Sequence, residues 1–270
     1  FTYTAMLAGL GLLLLPLLPF IGTTINGARI WIRVAGFSFQ PGELAKLVLL
    51  VFFAGYLVVK RDVLALASRR VLGIDLPRAR DLGPVLVAWV ASLGVLVFER
   101  DLGTSLLFFG VFIALLYVAT ERLSWLLIGI ALFLSGSFIA WSLFSHVRAR
   151  VDIWLNAFDP QNVSDSSYQL VQGLFGMGTG GLLGKGLGQG RPEIVPYAQT
   201  DFIVAAIAEE LGLTGVMALL IVYAIVVQRG LRTAIAVRDS FGKLLAAGLA
   251  FSMALQFFAL VDGVTRLIPL

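Results

Sequence analysis

Long apolar runs alternate with shorter polar segments along most of the chain. A membrane-spanning helix needs about 20 mostly apolar residues. Seven stretches meet that need, at roughly 2–21, 41–59, 83–98, 103–119, 123–145, 203–228 and 241–264. The fourth and fifth are joined by a short turn around Thr120-Glu121-Arg122. The pattern predicts an all-α polytopic membrane protein: a bundle of transmembrane helices in a single membrane domain over 1–270, with a large loop at 146–200.

The polar segments differ in character. Residues 60–82 carry Lys60, Arg61, Arg69, Arg70, Arg78 and Arg80, and residues 228–243 carry Arg229, Arg232, Arg238 and Lys243. Loops rich in Lys and Arg face the cytoplasm. Threading seven spans between them puts the turn at Arg122 inside and the segments 22–40, 99–102 and 146–200 outside. A loop as long as 146–200 is commonly functional rather than a mere connection. Short helices are expected in it, with Val147–Phe158 along the interface and Trp154 and Phe158 as anchors.

Composition narrows the class further. The chain is 59% hydrophobic and only 13% charged, against about 25% charged in soluble domains. Cysteine is absent, which excludes disulfides and thiolate metal sites. The net charge of +4 reports topology rather than nucleic-acid binding. The chain does not start with Met and enters an apolar run almost at once, so it is expected to be a segment of a longer protein.

The chemistry concentrates on the outer side. Tyr197-Ala-Gln-Thr-Asp201-Phe-Ile-Val-Ala-Ala-Ile-Ala-Glu209-Glu210-Leu-Gly212 brings three carboxylates to the start of a membrane helix, and ionisable groups at that depth are costly and mark function. A continuous helix from Asp201 to Gln228 would be about 42 Å long, more than the hydrocarbon core of about 30 Å. Asp201 is therefore expected in or above the outer headgroups, with Glu209 and Glu210 near the outer edge of the core. Asp201 suits either a helix cap or a water-accessible general base; Thr200 is an equal candidate for the cap. Glu43 and Lys46, three apart, share one helix face as an ion pair, and Lys46 has the charge to hold a phosphate as well. Asp101, before Gly103-Thr104, reads as a cap or a site carboxylate. Arg29, Arg33 and Arg100 are outer cations that either bind phosphate or snorkel to headgroups.

Two tempting motifs fail. The glycine run from Gly178 to Gly190 is not a P-loop, because Thr179 stands where the first Gly is required and Gly186 follows Lys185. It reads instead as a loop that approaches other backbone closely, with Lys185 able to meet an anion. His146 is the only histidine and supports neither a metal site nor a triad.

The ordered motifs resemble the SEDS proteins (shape, elongation, division and sporulation), the group containing RodA and FtsW. The matching stretches are Asn26-Gly-Ala-Arg-Ile-Trp-Ile, Phe39-Gln-Pro-Gly-Glu-Leu-Ala-Lys46, Asp101-Leu-Gly-Thr, Asp159-Pro followed by Tyr168-Gln169, Gly180-Gly-Leu-Leu-Gly-Lys-Gly-Leu-Gly188, and Thr200-Asp-Phe-Ile with Glu209-Glu-Leu-Gly212. Gly42 replaces the family's usual Ser. The family has about ten spans and a Ser-Tyr-Gly-Gly-Ser-like stretch before the last, so spans are expected to be missing at both ends. The wording around Phe98-Glu-Arg-Asp-Leu-Gly-Thr leans toward the elongation branch.

The resemblance implies a peptidoglycan glycosyltransferase that polymerises lipid II at the outer face of the bacterial cytoplasmic membrane, inverting at the sugar and releasing undecaprenyl pyrophosphate. The family's essential aspartate falls on Asp201, its Glu and Lys on Glu43 and Lys46, and its Asp before Leu-Gly-Thr on Asp101. The substrate-binding set is then Glu43, Lys46, Asp101, Arg29, Lys185, Glu209 and Glu210, and the topology predicts one cavity, open to the outer leaflet, lined by Glu43, Lys46, Asp101 and Asp201. No organic cofactor is implied; a divalent cation, Mg or Mn, would fit the pyrophosphate chemistry. The implied partners are lipid II, the growing glycan strand and a class B penicillin-binding protein, with no nucleic acid. A lipid II flippase and a non-catalytic scaffold for such a synthase are the competing functions.

Overall fold

A computed structural model describes residues 2–18, 21–25, 28–34, 37–65, 69–71, 74–76, 87, 90–91, 94 and 102–269. The first helix, α1, runs Thr2–Leu14 and passes into a 3-10 turn at Leu15–Leu17. Pro16 sits in that turn and cannot extend the α-helical ladder, so the apolar helix ends at Leu17 rather than reaching residue 21. The long apolar helices are α2 (Pro41–Ala65), α3 (Leu102–Thr120), α4 (Leu123–Leu143), α8 (Ile203–Ala236) and α9 (Ser240–Val264). These five are long and apolar enough to cross a membrane. The expected span at 83–98 lies outside the described residues except for Val87, Val90, Ala91 and Gly94, which are helical.

Local chemistry explains the helix ends. Pro41 opens α2 with its φ already set for a helix, and Glu43 stands in the first turn, where the dipole favours a carboxylate. Between α3 and α4 the chain reverses at Glu121, which takes the left-handed conformation at φ 56°. Its N–H donates to the Tyr117 carbonyl at 2.7 Å.

Two segments fold as sheet where the sequence reading foresaw only loop. Strands β1 (Gly22–Ile25), β2 (Ala28–Val34) and β3 (Phe37–Phe39) form an antiparallel sheet in that order, and β4 (Arg69–Val71) pairs with β5 (Ile74–Leu76). In the first sheet Thr23 faces Trp31 and Arg33 faces Ser38. The period of two is visible in β2, where Arg29, Trp31 and Arg33 share one face and Ile30 and Ile32 the other. Asn26-Gly27, between β1 and β2 in sequence, is itself a strong hairpin signal.

The backbone divides into two compact units. The first comprises Phe1–Ala131 and Gln228–Leu255, the second Leu132–Val227 and Gln256–Leu270. The core of the first gathers Leu49, Phe52, Phe53 and Leu57 of α2 with Phe112, Leu115 and Leu116 of α3. The Phe53 and Phe112 rings lie 5.2 Å apart. Lipid tails are as apolar as leucine, so close van der Waals fit rather than water exclusion holds such helices together. A Cβ at Gly248 of α9 would come within 2.9 Å of Leu50 and 3.1 Å of Leu115.

The second unit contains the segment 146–200, largely helical in α5 (Ser145–Leu155), α6 (Pro160–Val163) and α7 (Tyr168–Gly180). Its core joins Val195, Ala198, Phe202, Val204 and Ala205 to Val264. Trp154 and Phe158, expected as interfacial anchors, pack against Arg266. The Trp154 indole N–H donates to the Arg266 carbonyl, the guanidinium donates to the Trp154 and Leu155 carbonyls, and it lies 5.3 Å from the Phe158 ring centre.

Candidate active site

Helix α8 is not continuous. Gly212 stands at φ 67°, ψ −167° inside it, a region essentially reserved for glycine. The length argument from Asp201 to Gln228 therefore fails, because the path is two helical pieces rather than one rod. A break frees carbonyls above it and N–H groups below it, and each unsatisfied group costs several kcal/mol at membrane depth. The glycine run satisfies them. The Lys185 and Gly186 N–H groups donate to the Glu209 and Glu210 carbonyls at 3.0 and 2.9 Å; the Leu213 and Thr214 N–H groups donate to the Gly181 and Leu182 carbonyls at 2.9 and 3.1 Å. Such an approach leaves no room for side chains. A Cβ at Gly184 would sit 2.1 Å from the Glu210 carbonyl oxygen, and one at Gly212 would sit 2.3 Å from the Gly184 nitrogen. The close backbone approach read from the glycine run is borne out, with α8 as its target.

Side chains reinforce this splice. Glu209 is buried, its side chain 6% exposed, and its Oε1 accepts from Lys185 Nζ at 2.7 Å and from the Arg191 N–H at 3.1 Å. Glu210 Oε1 accepts from the Gly188 N–H at 3.2 Å. Lys185 and both glutamates, expected to meet substrate, are thus engaged with one another and with the loop. Lys185 keeps 36% of its side chain exposed.

Asp201 has a different setting. It lies in a turn two residues ahead of α8, and its carboxylate is exposed. Among the described residues that carboxylate takes no hydrogen bond and no ion pair, so the capping role is not realised; the Thr200 hydroxyl donates instead to the Tyr197 carbonyl at 3.3 Å. The turn is fixed on both sides. Ala198 and Phe202 are buried, the Gln169 amide donates to the Pro196 carbonyl at 2.8 Å, and the Thr200 and Phe202 N–H groups both donate to the Tyr197 carbonyl. A free carboxylate on a rigid turn is what a proton acceptor needs.

The remaining candidates lie in the first unit. Lys46 Nζ meets Glu43 Oε1 at 2.7 Å, with Lys46 nearly buried at 9% and Glu43 half exposed at 49%. Arg29 reaches back from β2 to donate to the Leu18 carbonyl at 3.0 Å, which ties the sheet to the end of the first helix. Asp101 lies outside the described residues. Among the described residues no three His, Asp or Glu side chains are placed to hold a metal ion.

Five membrane-length helices, one of them broken and respliced and preceded by a turn with a free carboxylate, define a multi-pass membrane protein with a polar site at the start of a span. The model of the FtsW, RodA and SpoVE cell cycle proteins matches residues 2–270, and the chain belongs to that family. It is 55% identical over 270 residues to the peptidoglycan glycosyltransferase RodA of Mycobacterium tuberculosis, across 99% of this chain and 57% of that protein. It thus spans a little over half the length of such relatives. It is 35% identical over 261 residues to a probable peptidoglycan glycosyltransferase FtsW of a Geobacter species, across 96% of this chain and 67% of that protein. Among solved structures it resembles a chain from a peptidoglycan synthase complex that coordinates polymerization and crosslinking. That match has a TM-score of 0.76 at 27% identity and covers 100% of this chain and 71% of the other.

Proposed function

We propose that the protein polymerises lipid II into glycan strands at the outer face of the bacterial cytoplasmic membrane, in the elongation branch of its family. The observation that carries this reading is the Asp201 carboxylate, unpaired among the described residues and held on an anchored turn. It gains weight from the 55% identity to a RodA named as a peptidoglycan glycosyltransferase.

In this reading Asp201 takes the proton from the 4-hydroxyl of the acceptor GlcNAc as that oxygen attacks C1 of the donor MurNAc. The C1–oxygen bond to undecaprenyl pyrophosphate breaks, and the pyrophosphate leaves with the bonding pair. An α-linked donor giving a β-linked strand requires one inverting displacement. Charge grows on the departing pyrophosphate, so fixed cations lower the barrier. Lys46, Arg29 and Lys185 are assigned that role, with Glu43 holding Lys46 in place. Asp101 is assigned to the substrate site from its motif. A class B penicillin-binding protein is the proposed partner; the synthase complex that this chain resembles supports it.

The broken helix speaks to the competing flippase. Transporters leave the ends of discontinuous helices open to bind cargo. Here four of the freed backbone groups at Gly212 are occupied by loop backbone, which favours a rigid catalytic support. The test is polymerisation of purified lipid II by the full-length protein. Asp201→Asn should lower the rate by about 10²–10⁴ while leaving folding unchanged. Glycan output within tenfold of wild type would remove Asp201 as the base.

A further inference from the structure

The first unit has a second polar feature, at the far end of α2 from Glu43 and Lys46. Arg61 is 18 positions after Glu43, about 27 Å along the helix. There Val58 and Arg61 of α2, Val118 and Ala119 of α3, and Ser240, Lys243 and Leu244 of α9 line one small cavity. Its floor is aliphatic and its polar lining is two cations and a hydroxyl. Lys243 is half buried, and among the described residues it has no carboxylate partner. Arg61 meets Glu121 only at 4.0 Å, with the arginine about half and the glutamate largely in solvent, so that pair is worth little. Among the described side chains the other carboxylate close by in sequence is Asp239, which is spent on the start of α9: its Oδ2 accepts from the Gly242 N–H at 2.8 Å. The positive end of the α9 dipole adds to the two cations.

We infer that this cavity binds the phosphate of an anionic phospholipid, with a phosphate oxygen between Arg61 and Lys243 and the first acyl carbons over Val58, Val118 and Leu244. The chemistry selects the ligand. The cavity is open on one side, and its interior of about 20 Å³ has room for one phosphate oxygen, with the rest of the headgroup and the acyl carbons lying outside it. The cations sit where three membrane-length helices end, the depth of a headgroup layer, and basic pockets between helices on the cytoplasmic side are suited to acidic headgroups. A bound phosphate also offsets the cost of a half-buried lysine with no carboxylate partner among the described residues. The alternative source of the same chemistry is free inorganic phosphate, which would leave the aliphatic floor uncovered.

The experiment is a native mass spectrometry titration of the full-length protein, released from detergent. Phosphatidylglycerol and phosphatidylcholine are added in parallel, with inorganic phosphate as competitor. A saturable one-to-one phosphatidylglycerol adduct is expected, at least tenfold tighter than that with phosphatidylcholine and insensitive to inorganic phosphate. Each of Arg61→Gln and Lys243→Gln should weaken it about fivefold, a cation near the surface being worth about 1 kcal/mol, whereas Lys243→Arg should retain it. Arg232→Gln removes an exposed cation from the same end of the molecule but outside the cavity, and should change nothing. Equal loss with Arg232→Gln would make the binding diffuse attraction to a basic face and overturn the site. So would equal affinity for the zwitterionic lipid, an unchanged adduct in Lys243→Gln, or displacement by inorganic phosphate. Because Lys243→Arg keeps the charge, a fold defect in the glutamine variants alone does not decide the outcome.

Discussion

Two ion pairs of the same length divide their burial in opposite ways, the carboxylate being the buried member of one and the ammonium-bearing side chain of the other. Lys185 and Glu209 meet at 2.7 Å, as do Lys46 and Glu43. Glu209 is buried and Glu43 is half in solvent. Removing the partner of a buried charge costs about 3–5 kcal/mol when nothing replaces it. Glu209 keeps the Arg191 N–H and Lys185 is a third exposed, so Lys185→Met should cost about 2 kcal/mol, and the double change Lys185→Met with Glu209→Gln should cost less than the single one. Thermal unfolding in detergent measures both; a double variant less stable than Lys185→Met would reject the pairing. For Glu43 and Lys46 the exposure of the glutamate reduces the coupling to about 0.5–1 kcal/mol, short of the few kcal/mol that a fully buried pair would give, and a double-mutant cycle reads it directly. The spacing of three made the second pair visible in the sequence. Nothing comparable pointed to the first, whose members are 24 residues apart and meet only because a helix breaks.

That break sets the behaviour of α8 as an element. Gly212 occupies backbone space that a Cβ disfavours by about 1–3 kcal/mol, and the added atom would also overlap the Gly184 nitrogen. Gly212→Ala should lower thermal stability by at least that amount and weaken the splice between 181–186 and 209–214, read as faster hydrogen exchange at Leu213 and Thr214. Unchanged exchange there would show that the splice does not depend on the glycine. The apolar run 203–228 made the helix legible, but its interruption was not, because one glycine within a helical pattern is usually tolerated. What reveals it is the pairing of Glu209-Glu-Leu-Gly212 with the Gly180–Gly190 run, a relation in space rather than in period. The strands Gly22–Ile25, Ala28–Val34 and Phe37–Phe39 are too short to show as apolar runs, and their signal lies instead in the alternation of Ala28–Val34 and the Asn26-Gly27 dipeptide, which both announce a hairpin.

For the whole molecule, hydropathy placed the spans well, since α2, α3, α4, α8 and α9 each begin within two residues of the stretches read from composition alone. Their direction rests on charge, and it can be measured cleanly because the chain has no cysteine. A cysteine at Glu193 should react with a membrane-impermeant maleimide from outside intact cells, and one at Arg238 only after permeabilisation; the reverse pattern would invert the topology and move Asp201 away from externalised substrate. Gly212 bears on the membrane itself as well. From Leu213 to Ala236 the lower piece of α8 is about 36 Å long at 1.5 Å per residue, enough to cross about 30 Å of hydrocarbon alone. A helix longer than its bilayer adapts by tilting, and in a rigid rod that tilt would swing the outer end and everything attached to it. Here the rod is divided at Gly212 and the glycine loop is hydrogen-bonded to both sides of the break, so a lean of the lower piece is taken up at the splice and the turn bearing Asp201 holds its height. Polymerisation should then vary little between short-chain and long-chain lipids, and a variant with α8 made continuous should acquire a sharp optimum in acyl length.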